Sequence, residues 1–226
     1  MLVFDNVSVD LAGAPVLRNV SVELKAATTV ALVGRNGAGK TTLLRTTMGF
    51  LKPKTGRILF DDDELHLLPA HWRAEQGIGY APEDRVIFPT LTVEQNLRLP
   101  CEAHGLSDAA INDRLAGILE MVPQLREMLP RSGAALSGGQ GKMVALGRAL
   151  MAGTRLVLLD EPFQGLAPVL AMQYAEALSR LRTLRPDLCV LITESNASLL
   201  KHVPTIKLTL ERGTLSVGGD AEQLTH

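Results

Sequence analysis

Residues 34–41 read Gly-Arg-Asn-Gly-Ala-Gly-Lys-Thr, the spacing G-x-x-x-x-G-K-[ST]. That order of residues does one kind of chemistry well: it holds phosphate. Backbone N–H groups of a glycine loop and the N-terminal end of a helix both point toward an anion. Gly34 and Gly39 let the backbone come close, with Asn36, Gly37 and Ala38 between them. Lys40 reaches the β- and γ-phosphates, Thr41 puts a hydroxyl on Mg²⁺, and Thr42 continues the cradle into the helix. The flanks suit this reading. Thr29 to Val33 reads as a buried strand, and Thr42 to Met48 as a helix.

Two more stretches carry chemical groups. Leu136-Ser137-Gly138-Gly139-Gln140 precedes a helical run from Lys142 to Leu150. A serine and two glycines at a helix start make a second phosphate-accepting terminus, or an ordinary capped helix. Leu156-Val157-Leu158-Leu159-Asp160-Glu161 is an apolar strand ending in two carboxylates. After a P-loop, Asp160 suits a Mg²⁺ ligand and Glu161 a group that orients or deprotonates water.

The elements that must position these groups follow from periodicity. Residues 2–24 alternate apolar and polar around Gly13-Ala14-Pro15, which predicts an antiparallel β layer turning there. Short strands are expected at Arg57 to Phe60, Ile78 to Ala81 and Leu188 to Thr193. A hairpin is expected from Thr205 to Val217. From 85 to 135 the pattern turns helical, with Ile111, Leu115, Ile118, Leu119 and Val122 on one face and Pro123 as the stop. A further helix runs from Val169 to Leu184 behind Pro168. The reading is an α/β core split by a helical insert.

Composition narrows the class further. The chain has 226 residues and a formal net charge of −1, which provides no basic face for nucleic acid. Cys101 and Cys189 lack metal or redox spacing and are expected to be buried reduced thiols in a cytosolic protein. No run reaches transmembrane length and the N-terminus lacks a signal-peptide pattern, so the chain is not expected to cross a membrane.

Taken together, the motifs resemble the ATP-binding subunit of an ABC transporter: Walker A at 34–42, signature at 136–140, Walker B at 156–160 with Glu161 next. The resemblance runs from Phe4 to about Gly219. It implies a P-loop ATPase core with a mixed sheet and an antiparallel β subdomain (1–84 and 136–226), and a helical signature subdomain (85–135). The cofactors implied are ATP and Mg²⁺. It also implies a head-to-tail dimer in which Ser137, Gly138, Gly139 and Gln140 meet the nucleotide held by a second ATPase subunit, identical or different. The remaining partners are transmembrane permeases and, indirectly, an extracytoplasmic binding protein. The place is the cytoplasmic face of the membrane. Ala81 to Phe88, Leu91 to Leu97, Gly147 to Met151 and Gly165 to Pro168 are similar to the LivF-type subunits of branched-chain amino acid importers, and to those of urea and amide importers.

Several positions depart from the family pattern. Leu11 stands where an adenine-stacking aromatic is usual, and neither Trp72 nor Tyr80 is placed to replace it. Glu83 takes the Q-loop position, where a carboxylate can still bind Mg²⁺. Ser195 takes the switch-histidine position, with His202 read as a surface helix residue. Phe163-Gln164 follows the catalytic Glu-Pro, Ala167 replaces the D-loop aspartate, and Gly141 weakens the start of a helix. Catalysis is therefore assigned to Glu161 and Lys40 with Ser195 in support. Metal binding is assigned to Thr41, Glu83 and Asp160. The expected function is the ATP-hydrolysing subunit of an importer. Two alternatives stay open: a hydrolysis-impaired regulatory subunit of an asymmetric transporter, and a soluble non-transport ABC ATPase.

Overall fold

The computed structural model describes residues 1–201, 203 and 205–217. His202 and Gly219 lie outside the described residues. The chain opens with β1 (Leu2–Leu11) and β2 (Ala14–Leu24), an antiparallel pair. The turn falls on Ala12 and Gly13, at φ 48° and 81°, not on Gly13-Ala14-Pro15 as the residue types suggest. Two consecutive positive φ values are what a two-residue hairpin needs to match strand twist. Pro15, lacking an N–H, is tolerated at the beginning of β2 because β2 is an edge strand.

The other elements follow in order. They are β3 (Thr29–Val33), α1 (Lys40–Thr47), β4 (Thr55–Phe60), β5 (Asp63–Glu64), α2 (Trp72–Glu75) and β6 (Ile78–Ala81). After β6 come α3 (Val93–Ala103), α4 (Asp108–Met121) and α5 (Gly138–Ala152). The chain closes with β7 (Leu156–Asp160), α6 (Pro168–Leu184), β8 (Cys189–Glu194), β9 (Ile206–Glu211) and β10 (Thr214–Val217). Among the described residues no helix is long and apolar enough to cross a membrane.

Two sheets form. One is antiparallel, in the order β2-β1-β4-β5; the other runs β10-β9-β3-β8-β7-β6 and is parallel from β9 to β6. The inner parallel strands β7 and β8 are buried on both faces, as parallel sheets require, whereas β9 buries Leu208 and Leu210 and exposes Lys207 and Glu211. Along β7, Leu156 and Leu158 pack with the antiparallel sheet and α1, whereas Val157 and Leu159 pack with the helices. Along β8, Cys189 and Leu191 alternate with Val190 and Ile192 in the same way. Both cysteines are free and buried.

Helix starts follow local chemistry. Thr92 with Gln95, and Ser137 with Gln140, form complete capping boxes for α3 and α5. Ser107 caps α4. Val122 ends α4, and Pro123 starts a 3-10 turn instead of continuing the helix. Buried Asn96 ties residues 88–92 to α3, accepting from Phe88 N (2.9 Å) and donating to the carbonyls of Phe88 (3.0 Å) and Thr92 (2.9 Å). Parallel register then aligns the strand ends: Val33 pairs with Glu194, Asp160 with Thr193, and Ala81 with Leu159. Four segments that carry polar groups thus leave the sheet at one edge.

Candidate active site

The loop after β3 lies at that edge, where ligands bind in open parallel sheets. Gly37 and Gly39 adopt φ 80° and 108°, conformations that favour glycine. Gly34 has a different reason to be glycine. A Cβ there would stand 2.4 Å from the carbonyl oxygen of Leu210, so its missing side chain admits β9, not a ligand. α1 then begins at Lys40, leaving the first N–H groups of the helix without intrahelical partners.

A cleft of about 410 Å³ opens here, lined by Asn36, Gly37, Gly39, Lys40, Thr41 and Thr42. Glu83, Glu161 and Gln164 also line it, and Leu11 with Val16 add apolar lining. Its size suits a small ligand with a polar and an apolar part. Gly34 and Ala38 support the loop from behind without lining the cleft. Trp72 and Tyr80 do not line it either, so Leu11 and Val16 supply the apolar seat.

The charged groups are tightly held. Lys40 Nζ lies 3.0 Å from Glu161 Oε1 and donates to the carbonyl oxygens of Gly34 (2.7 Å) and Arg35 (3.3 Å). Both Lys40 and Glu161 are buried. Thr41 Oγ1 donates to Asp160 Oδ1 at 3.1 Å. Asp160 also accepts from Thr193 Oγ1 (2.7 Å) and Tyr80 OH (3.3 Å). Burial pushes the Asp160 carboxyl up from its usual value, while these three hydroxyls pull it back down. Burial also raises the Glu83 carboxyl, with Glu161 and Asp160 adding to it.

Glu161 sits at φ 45°, outside the strand geometry of β7. Its N–H is held by the backbone oxygen and the hydroxyl of Thr193 (both 3.1 Å), and its carbonyl accepts from Lys142 Nζ at 2.6 Å. The strained φ is thus fixed by neighbouring elements. The Gln164 amide stands 2.8 Å from Glu161 Oε2 and 2.7 Å from Glu83 Oε1; with carboxylate oxygens on both sides, its NH₂ faces them.

Thr41, Asp160 and Glu83 present only oxygen donors, which suits Mg²⁺. Among the described residues no three His, Cys, Asp or Glu gather as a self-sufficient metal site. The set fits a cation that completes its shell with phosphate and water.

Not all the sequence candidates meet. Lys40, Thr41, Asp160, Glu161 and Glu83 converge. Ser137, Gly138, Gly139 and Gln140 start α5 and do not line the cleft; the Gln140 side chain accepts from Ser137 N at 3.0 Å to close the capping box. Ser195 directly follows β8 and is half-buried, also away from the cleft lining. The residue before it was the one to notice. Glu194 is buried at the strand end, and its Oε1 accepts from Phe163 N at 2.8 Å. The available signal was an acid ending an apolar strand, as at Asp160. Thr193 and Lys142 carried no sequence signal of their own, and Gln164 only its departure from the family pattern.

Glu194 has a pH consequence. Burial pushes its carboxyl up to about 7, against the opposing hydrogen bond from Phe163 and the nearby lysines 142 and 40. The folded state therefore holds this proton more tightly than the unfolded chain does. The stabilisation is complete below about pH 4.5 and is lost as pH rises through about 7, a change on the order of 3 kcal/mol. Glu194→Gln should thus gain thermal stability relative to the parent between pH 5 and pH 8. Equal melting differences at both pH values would refute this.

A phosphate loop at the centre of a parallel sheet, facing a buried acid pair at the end of β7, defines a P-loop nucleoside triphosphatase. A family model described as "ABC transporter" matches residues 17–164. The chain belongs to the ABC transporter family and is one of its ATP-binding ATPases. It is 37% identical over 215 residues to the high-affinity branched-chain amino acid transport ATP-binding protein BraG of Pseudomonas aeruginosa, covering 95% of this chain and 91% of that protein. It is also 37% identical, over 187 residues, to the lipopolysaccharide export system ATP-binding protein LptB of Escherichia coli K12, covering 81% and 76%. A solved ATP-binding subunit of an ABC transporter superposes with a TM-score of 0.82 at 27% identity, covering 97% of this chain and 91% of that one.

Proposed function

We propose that this chain is the ATP-hydrolysing subunit of an importer for branched-chain or related amino acids, working as a head-to-tail dimer of ATPase subunits. The observation that carries the dimer is the separation of the signature from its own P-loop cleft. Ser137 and Gly138 are exposed at the start of α5, and this helix N-terminus favours an anion that the P-loop cleft of its own chain does not place there. A second subunit would bring its bound nucleotide to them.

In this reading the loop amides and Lys40 bind the phosphates, and Leu11 with Val16 seat the base. Phosphate draws Lys40 away from Glu161, which leaves Oε1 of Glu161 to take a proton from the attacking water. Thr41, Asp160 and Glu83 would hold Mg²⁺, which supplies charge neutralisation at the phosphates. Asp160 keeps its orientation through Thr193 and Tyr80. The import direction and the amino acid cargo lean on the resemblance to BraG over nearly the full chain at 37% identity; LptB proteins, whose name specifies export, match either over less of it or at lower identity. Transmembrane permeases anchor the subunit at the cytoplasmic face of the membrane, and an extracytoplasmic binding protein delivers the cargo to them.

Two measurements test this. ATP hydrolysis by the purified chain should rise faster than linearly with protein concentration. Gly138→Asp, at a residue that does not line its own cleft, should lose hydrolysis about 100-fold or more by placing a carboxylate against the partner's phosphate, yet still bind ATP. Full hydrolysis by Gly138→Asp would overturn the shared site. Deleting the gene should abolish uptake of labelled leucine, isoleucine and valine, and unchanged uptake would overturn the cargo.

A further inference from the structure

The carboxylate of Glu161 has two side-chain tethers among the described residues. Oε1 is on Lys40 at 3.0 Å, and Oε2 is on the Gln164 amide at 2.8 Å. The first tether is lost if phosphates claim Lys40, which leaves Gln164 to hold the carboxylate. The same amide reaches Glu83 Oε1 at 2.7 Å, so one NH₂ group joins two acids from different loops.

The backbone aims Gln164 at this place. Gln164 N donates to the carbonyl of Glu161 at 3.2 Å, closing a turn. The adjacent Phe163 N is fixed on buried Glu194 at 2.8 Å. Glu83 belongs to the segment between β6 and α3, where Arg85 and Val86 take successive φ values of 66° and 46°. Arg85 Nη1 donates to the carbonyl of Gly138 at 3.1 Å, and Arg148 Nη2 to the carbonyl of Arg85 at 3.0 Å. The Glu83 loop is therefore tied to the start of α5 on one side and to Glu161, through Gln164, on the other.

We propose that Gln164 is a positioning residue for ATP hydrolysis: it keeps Glu161 oriented after Lys40 turns to the phosphates, and it links Glu161 to the Glu83 loop. The proposal rests on the reading of Glu161 as the proton acceptor. An amide suits the task because its two N–H groups can serve two carboxylates. A hydroxyl has one donor, and a third carboxylate has none.

The test is steady-state hydrolysis by the intact chain, or by its complex with the second subunit, with ATP binding measured in parallel. Gln164→Ala should lower kcat about tenfold, the low end for a lost hydrogen bond to a charged group, with KM and ATP affinity unchanged. Gln164→Glu should lower it at least as far. In a Glu83→Gln background the Gln164→Ala step should cost a smaller factor, because one of its two partners is already altered. If both Gln164 variants keep kcat within twofold while Glu161→Gln abolishes it, the positioning role is wrong and the reading of Glu161 stands. If Glu161→Gln still turns over normally, that reading fails and takes this proposal with it. If the Glu83 and Gln164 effects simply multiply, the link to the Glu83 loop is overturned.

Discussion

Lys40→Met is expected to abolish ATP hydrolysis and also to destabilise the nucleotide-free protein. Lys40 and Glu161 are 4% and 5% exposed, and they face each other at 3.0 Å. Removing one partner of a buried ion pair leaves the other charge uncompensated, at a cost of roughly 3–5 kcal/mol. The carbonyls of Gly34 and Arg35 lose their donor as well. Glu161→Gln is milder for stability, because Lys40 keeps both carbonyls and an amide oxygen can still accept from it in place of the carboxylate. That change should still lower kcat by about 10²- to 10⁴-fold, the range for loss of a general base. Combining the two changes should restore most of the lost stability without restoring hydrolysis. Urea unfolding of the four proteins, run without nucleotide, measures this coupling directly. A Lys40→Met protein as stable as the parent would show that the ion pair is not holding the empty site together.

Gly79→Ala is the second large effect, and it involves no chemical group. Gly79 lies in β6, where α5 crosses the sheet. A Cβ at this position would sit 1.9 Å from the carbonyl oxygen of Ala149 and 2.8 Å from Gly153 N. Both are backbone atoms, so no side-chain rotation relieves the clash; strand and helix must separate. The expected loss is at least about 4 kcal/mol, in the range reserved for severe overpacking. Gly117→Ala provides the contrast. It lies within α4 with open space around it, and should be neutral or stabilising by up to about 1 kcal/mol through helix propensity. Soluble yield and the urea midpoint report both. Gly79→Ala unfolding within about 1 kcal/mol of the parent would contradict the close approach of α5 to β6.

Elements whose signal is local were legible in the chain. The β7 segment is apolar throughout and ends in two acids, so both its strand character and its carboxylates could be read. The helix after Pro168 and the helical stretch beyond residue 85 were equally plain. The first hairpin turn was misplaced, because Gly13 and Pro15 are turn formers by type and bracket Ala14. Backbone twist put the turn one residue earlier and left Pro15 on an edge strand. Similarly, Gly34 reads as a phosphate-loop glycine, but its lack of a side chain is demanded by the Leu210 carbonyl, more than 170 positions away along the chain.

The sequence alone determined which groups this protein has for phosphate chemistry. Gly37, Gly39, Lys40 and Thr41 lie within five residues of one another, so their spacing carries their geometry. Tertiary structure decided which groups meet. Parallel register brings Val33 beside Glu194 and Asp160 beside Thr193, which sets the P-loop next to the acids. It also places Gln164 between Glu161 and Glu83, and leaves Ser137 and Gly138 outside their own cleft. Those relations depend on strand order and on helix packing across the whole sheet. Short-range spacing cannot encode the meeting of the P-loop with the acids, or of Gln164 with Glu83, because only the buried core brings those residues together.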